Sequence, residues 1–412
     1  MVQFSSIFNG LARNISIKNG RKSKTDVGRE AADALVKDAK KNDLLLSSPG
    51  IVNAKGSDNL VSVYSKRGKK GVNQDRLCLW KDGLVWQEFG CQDDMIFCGV
   101  FDGHGPWGHL VAKRVRKLMP SSLLCNWQES IALTSLELDV GSELERRLHQ
   151  FDIWKQSYLK TCSAVDQELA QYPGIDSHYS GTTALTIVRQ GDLIVLANVG
   201  DSRAVLATAS DDGSLAAVQL TVDLKPNLPR EPLSFSPLSV HVYIFILLKD
   251  VKAYVLVAVT EENERIKQSR GRVFSSSDEP GVYRIWMPKV DASGGPGLAI
   301  SRAFGDYFIK DFGLISEPEV TQRNITSRDQ FVILATDGVW DVISNQEAVE
   351  IVCSTPEREE SAKRLVECAV SAWKRKRRGI AMDDISAICL FFHTCSSLQE
   401  CDPVKHPEKG LQ

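Results

Sequence analysis

Nine short apolar runs constrain this 412-residue chain more than any other feature. They read "LVSVYSK", "RLCLW", "MIFCGVF", "TALTIVR", "LIVLANV", "RAVLAT", "AAVQLTV", "FVILATD" and "ISAICLFF". Each is rich in β-branched and other apolar residues, and each is bounded by Gly, Asp or Asn, the pattern of buried strands. Between them lie helical patterns. "WGHLVAKRVRKLM" and "FDIWKQSYLKTCSAVDQELAQ" space their apolar residues three and four apart. "NQEAVEIVC" starts after Ser344, an N-cap residue, and "ESAKRLVECAVSAWKRKRR" follows. The long helical stretch between "MIFCGVF" and "TALTIVR" argues against a simple meander. The expectation is an α+β domain, with strands stacked as two sheets and helices outside. No internal repeat is visible.

Four of the runs have an aspartate at one end: "VFDGHG" (100–105), "NVGDSRA" (198–204), "ATDGVWD" (335–341) and "MDDISAICLFF" (382–392). Alone, Asp-Gly after a strand is a turn. Four together point to strand ends converging on a metal. A hard divalent cation takes carboxylate and carbonyl oxygens, and a carboxylate just past a buried strand is fixed yet reaches solvent. Asp102 and Asp337 share the design of strand, Asp, Gly. Asp383 and Asp384 precede a strand. Neighbours on a strand point to opposite faces, so one should face the ions and the other should bond nearby backbone. Carboxylates crowded on one point repel unless cations neutralise them. Two metals bridged by one carboxylate are a known solution, and they lower the pKa of a water between them. A leaving oxygen then needs a proton, and His104, two residues from Asp102, is the natural donor. A structural hydrogen bond is the plainer role for His104.

Composition excludes rather than assigns. The chain is 43% hydrophobic and 25% charged, with net charge −2, so no global field draws it to nucleic acid or membrane. Basic clusters at "KRGKKG" (66–71) and "KRKRR" (374–378) read as solvated surface, the second alternatively as a nuclear-import signal. Ten cysteines include no CxxC pair, which fits buried thiols in a reducing compartment. No Cys is followed six positions later by Arg, so a thiol-phosphatase loop is absent. The first twenty residues lack a secretory apolar core, and Val2 excludes myristoylation. Localisation is expected to be cytoplasmic, nuclear or both.

In order, "VFDGHGPWGH", "SGTTALTIV", "ANVGDSRAVL", "LAISRAFGD", "LATDGVWDVISNQE" and "MDDISAICLFF" resemble the motifs of metal-dependent Ser/Thr protein phosphatases of the PP2C (PPM) family, plant branch above all. The resemblance covers about residues 57–230 and 263–393. It implies a central β-sandwich of two mainly antiparallel sheets flanked by α-helices, with two Mg²⁺ or Mn²⁺ ions at one end. By that likeness Asp102 bridges both ions, Gly103 ligates one through its carbonyl, and Asp337 and Asp383 complete the other ion's shell. Asp384 stands where the family often has Asn. Asp201 matches a position linked to a third, weaker metal site. "GVNQD" resembles the early "MED"-type motif, with Asp75 retained. Gln74 replaces a glutamate that helps hold a metal-bound water, and Lys70 falls where relatives carry a phosphate-binding arginine. Glutamine keeps an oxygen without the charge, and lysine keeps the charge without the bidentate fork.

The implied domain runs over 57–394. It follows a Lys- and Ser-rich extension of low order (1–56) and precedes a tail (395–412). One segment is foreign to it: an apolar insert, about 31 residues from Pro232 to Glu262, containing "VHVYIFILL" and "AYVLVAV". Each run falls short of the roughly 20 residues a membrane helix needs. As one span it would bury Lys249, Asp250 and Lys252 near the bilayer centre at roughly +2.5 to +3.5 kcal/mol each, so no membrane span is expected. Relatives run almost directly from "KPNLP" into "ERI", so a translated retained intron explains the insert; a lineage-specific loop that recruits a partner or membrane is the alternative. The leading reading is a monomeric phosphatase acting on phosphoproteins without a covalent intermediate. A phosphoprotein-binding pseudophosphatase and a two-metal nuclease are the competing classes. A basic groove interleaved with aromatic residues, which nucleic acid would need, is missing.

Overall fold

The structure, a computed structural model, describes residues 52–53, 60–81, 95–134, 143–226, 262–277, 279–288 and 296–393. Sixteen strands run in chain order among these residues. β1 (Val52–Asn53), β2 (Leu60–Lys66), β3 (Arg76–Lys81), β4 (Met95–Phe101) and β5 (Gly103–His104) come first. β6 (Gly181–Thr182), β7 (Ala184–Gln190), β8 (Leu193–Val199), β9 (Arg203–Ala209) and β10 (Leu215–Gln219) follow. β11 (Arg272–Ser275), β12 (Tyr283–Trp286), β13 (Phe304–Gly305), β14 (Glu319–Asn324), β15 (Asp329–Ala335) and β16 (Ile385–Phe391) complete them. The helices are α1 (Gly108–Thr134), α2 (Glu143–Gln171), α3 (262–268), α4 (Tyr307–Lys310), α5 (Asp337–Trp340), α6 (Asn345–Cys353) and α7 (Ser361–Lys376).

Two antiparallel sheets stack face to face. One has the order β1-β2-β16-β15-β9-β10, the other β14-β8-β7-β4-β3. Side chains alternate across a strand, so each central strand splits its apolar residues between two layers. Met95, Phe97 and Phe101 of β4 pack with Val115, Met119 and Trp154 of α1 and α2. Ile96, Cys98 and Val100 of the same strand face Leu334 and Ile388 of the other sheet. Ile333 and Ala335 of β15 meet Leu365 and Val366 of α7. The layers are therefore helix, sheet, sheet, helix. Burial on both faces is why these strands read as unbroken apolar runs rather than alternating ones.

All nine runs form strands. β10 starts earlier than "AAVQLTV" and stops at Gln219, leaving Thr221 and Val222 in the exit loop. β14 was invisible in the sequence because its residues, EVTQRN, are polar; it is an edge strand, half exposed, paired only to β8. Helix α1 runs beyond the apolar pattern, through Pro120, to Thr134. Ser344 caps α6, accepting from Glu347 N–H while the Glu347 carboxylate accepts from Ser344 N–H at 2.8 Å, a reciprocal capping box. The "KRKRR" run is mostly the last turn of α7. Lys376 donates to the Val342 carbonyl at 2.7 Å, and Arg377 lies over the Trp373 ring.

The domain starts before residue 57, because Val52–Asn53 pair with β2. It also reclaims Glu262, the last residue assigned to the insert. That side chain is 1% exposed and accepts from Arg265, Arg302 and Ser301 Oγ. The rest of the insert, the remainder of the 1–56 extension and the 395–412 tail lie outside the described residues. Among those described, seven cysteines are free thiols. Cys125 and Cys353 are exposed, against the expectation of burial.

Candidate metal centre and active site

The sheet registers bring the aspartates together. Ala335 at the end of β15 pairs with Arg203, two residues after Asp201, and with Ala387, three residues after Asp384. In the other sheet Val100 pairs with Leu185, and Ala184 with Val199. Asp102, Asp201, Asp337 and Asp383 thus leave strand ends at the same edge of the sandwich.

Their electrostatics show the crowding. Burial pushes the Asp102 carboxyl well above its usual range, and Asp75, Asp337, Asp383 and Asp201 push it further. Asp337 is raised by burial and then by Asp201, Asp383 and Asp341, with Lys225 opposing. Asp75, fully buried beneath, is raised to about 8 by burial and by Asp384. Thr336 Oγ1 donates to its Oδ2 at 3.0 Å. Asp337 Oδ1 and Gln74 Oε1 are buried with no hydrogen-bond partner. Carboxylates held where they repel, with oxygens left unpaired, suit a divalent cation. Among the described residues no three His, Cys, Asp or Glu side chains close on one point.

The two adjacent aspartates divide their work as their alternation requires. Asp384 accepts from the backbone N–H groups of Gly68 and Gln74, both at 2.7 Å. Asp383 instead faces the cluster and pairs with the Lys70 ammonium. Burial opposes the charge on Lys70, but Asp383, then Asp337 and Asp102, hold its pKa above the usual lysine value. Gln74 donates from Nε2 to the Gly105 carbonyl at 3.2 Å. Gly103 pairs with Thr182 across β5 and β6.

"SGTTA" acts as the clamp on Asp102. Thr183 N–H donates to the Asp102 carbonyl at 2.8 Å, and Asp102 N–H donates to Thr183 Oγ1 at 3.1 Å. His104 lies opposite Gly181 on the same small ladder. Its Nε2 is 2.5 Å from Asp306 Oδ2, a partner 202 residues away. Burial disfavours the charged ring, but Asp306 outweighs it and the His104 pKa is raised. Asp306 sits in left-handed backbone at φ 53, a conformation that Asp tolerates better than most residues. Its turn is pinned by Asp166 of α2, which accepts from Gly305 N–H at 3.0 Å and from Tyr307 and Lys310.

Sequence reasoning missed Asp306, although it stands in the quoted "LAISRAFGD". It also missed Lys225, whose Nζ is 3.2 Å from Asp201 Oδ2 and whose pKa is raised chiefly by that carboxylate. Gly181 was missed as well. A Cβ there would lie 2.0 Å from Asp306 Oδ2 and 2.7 Å from His104 Nε2. Gly181→Ala is therefore expected to force the pair apart and lower phosphopeptide kcat by about 10²-fold or more, the scale of one lost general acid. Wild-type kcat in that variant would show that the close approach does no work.

The family model described as "Protein phosphatase 2C" matches residues 73–232 and 256–376. The chain belongs to the protein phosphatase 2C family. It is accordingly a metal-dependent serine/threonine phosphatase. Residues 233–255, inside the apolar insert, fall between the two matched stretches. "Probable protein phosphatase 2C 34" of Arabidopsis thaliana is 59% identical over 399 residues, covering 96% of this chain and 99% of that protein. "Probable protein phosphatase 2C 48" of Oryza sativa subsp. japonica is 51% identical over 401 residues, with the same coverage of each. Among solved structures, serine-threonine phosphatase 2C from Toxoplasma gondii superposes with a TM-score of 0.64 at 24% identity, covering 84% of this chain and 98% of that one, a likeness of fold. A PP2C sandwich is what the described strands and helices form.

Proposed function

We propose that this PP2C phosphatase removes phosphate from phosphoserine and phosphothreonine in proteins with two Mg²⁺ or Mn²⁺ ions held at the strand-end cluster. The carrying observation is the set of mutually repelling carboxylates with the unpaired Asp337 Oδ1. In this reading Asp102, Asp337, Asp383 and the Gly103 carbonyl hold the ions, and Asp201 offers a weaker third place. Such ions supply a nucleophile at neutral pH and withdraw charge from the phosphoryl oxygens. The chain's own groups do the rest. Thr183 fixes the backbone of Asp102, and Asp384 ties Gly68 and Gln74 to the cluster edge. Lys70, more than half exposed, leaves Asp383 to meet the substrate phosphate once cations take over the neutralising role. His104, kept protonated by Asp306, donates the proton to the departing serine or threonine oxygen.

The test is steady-state hydrolysis of a phosphopeptide with Mn²⁺, with and without EDTA. Turnover with Mn²⁺ and its loss with EDTA are expected. No turnover at any Mn²⁺ concentration would favour the pseudophosphatase class. A finer test addresses the acid. Because the folded-state His104 pKa is raised, the proton is present below that pKa and lost as pH rises through it. Asp306→Asn removes the group that holds the pKa up, so the alkaline limb of phosphopeptide kcat should move to lower pH. The shift should be smaller with an aryl phosphate, whose leaving group needs less protonation. Equal behaviour on both substrates would take His104 out of the acid role.

A further inference from the structure

Beside the His104–Asp306 pair the surface carries three rings that catalysis does not use. His178 and Tyr179 meet edge to face at 4.5 Å between centroids, and Tyr179 and Phe308 lie 5.3 Å apart, tilted by 34°. Tyr179 is 52% exposed, one of the few large apolar side chains on the described surface that are so open. A single exposed aromatic needs no explanation. This one is different because the backbone under it is fixed at the catalytic edge. Asp306 N–H donates to the Ser180 carbonyl and Phe308 N–H to the His178 carbonyl, at 3.0 and 3.1 Å. Ser180 Oγ accepts from Trp107 N–H at 2.8 Å. Two residues on, Gly181 pairs with His104 itself. The ring therefore stands ordered and half open, about two residue steps, or roughly 7 Å along an extended chain, from Gly181, the residue that pairs with the proton donor.

We infer that Tyr179, backed by His178 and Phe308, is a specificity-determining ledge that receives a bulky apolar or aromatic side chain of the substrate within two residues of the phosphorylated serine or threonine. A phosphopeptide held with its phosphate at the strand-end cluster and its leaving oxygen at His104 must run past one flank of that histidine. On the flank formed by residues 177–181 and 306–308, His178 and Tyr179 are the exposed rings, and Tyr179 is the one that offers a large apolar face. Its orientation is fixed before binding, so an incoming ring or branched aliphatic chain gains contact without ordering the ledge. Aromatic contacts of this kind contribute enough to change affinity by about fivefold. The metal cluster reads the phosphate on any substrate, whereas the ledge reads the neighbouring residue.

The inference rests on the phosphatase reading. The experiment is a phosphopeptide panel with Ala, Leu, Phe or Asp at each of the two positions on either side of the phosphoresidue. It is run with Mn²⁺ on the full chain, its Tyr179→Ala variant and its Tyr179→Phe variant. The wild type should favour Leu and Phe over Ala at one position by about fivefold in KM, with similar kcat. Tyr179→Ala should collapse that spread by raising KM for the bulky peptides, and Tyr179→Phe should restore it. A thermal midpoint within a few degrees of wild type would show that the fold stands. No preference at any position in the wild type overturns the ledge, as does a preference that persists in Tyr179→Ala. Failure of the wild type to hydrolyse every peptide in the panel, unlike those outcomes, overturns the phosphatase reading and the ledge with it.

Discussion

Asp102→Asn should abolish nearly all turnover and leave the fold standing. The backbone clamps from Thr183 to Asp102 do not involve the carboxylate, so asparagine keeps the local geometry. What it removes is the charge that Asp75, Asp337, Asp383 and Asp201 all act upon. Losing the group proposed to join two ions should cost more than about 10²-fold in kcat, comparable to removing a preorganised charge-stabilising donor. Retention of more than about a tenth of the wild-type rate at saturating Mn²⁺ would argue against the bridging role.

Stability gives this variant a second readout with a defined sign. The Asp102 and Asp337 carboxyls are raised, and Asp75 is raised to about 8. A group whose folded pKa is raised contributes stability at low pH that is lost as pH rises toward the folded value. Chelated wild-type protein should therefore lose stability between about pH 4, the unfolded carboxylate range, and pH 8. Asp102→Asn should lessen that loss, and so should added Mn²⁺ in the wild type. A pH-independent melting temperature of the chelated wild type would contradict the crowding.

Removing the 31 residues Pro232–Glu262 should yield a soluble and active enzyme, despite the burial of Glu262. The reason is a coincidence of sequence. Glu231 precedes the cut, so the shortened chain reads Arg230-Glu231-Asn263 and places a glutamate in the same register before Asn263 as Glu262 now occupies. That carboxylate matters because it accepts from Arg265 at 2.5 and 2.9 Å and from Arg302 at 2.7 Å. Burial opposes its charge, but the two arginines hold its pKa below the usual glutamate value. Closing the gap asks little of the chain. Leu224 accepts from Ser301 N–H at 2.8 Å, and the Ser301 hydroxyl donates to Glu262 at 2.5 Å, so one residue touches both flanks. The four residues 227–230 can span about 14 Å.

The control is the same deletion carrying Glu231→Ala. It leaves two partly buried arginines without their shared partner and should cost about 3–5 kcal/mol, the scale for breaking a buried pair. Chemical denaturation of the two shortened chains measures the difference. If the plain deletion fails to fold, the insert is an integrated element and the retained-intron reading falls. If both deletions are equally stable, Glu231 does not take the place of Glu262.

The chain announces its sandwich openly, and the physical cause is burial on both faces. "MIFCGVF" and "ISAICLFF" each lie between a helix layer and a second sheet, so nearly every position is apolar and the run stands out. The aspartates were legible for a related reason. A charge directly abutting such a run sits where the strand leaves the core. β14 was not legible, because an edge strand with the sequence EVTQRN buries little and carries no pattern distinct from a loop.

Sequence alone thus determined the nine apolar strands, their aspartate ends and the family, because these are written in local pattern and ordered motifs. Only the tertiary structure decided the partnerships. Asp306 holds His104 across 202 residues, Lys225 holds Asp201, Asp166 fixes the turn under Asp306, and Glu262 proves to be a buried counter-ion rather than the end of an insert. Nothing in local composition encodes such pairs. Each is made by the register of strands and by the folding back of distant loops, which set two side chains within hydrogen-bond reach only after the sheets have stacked.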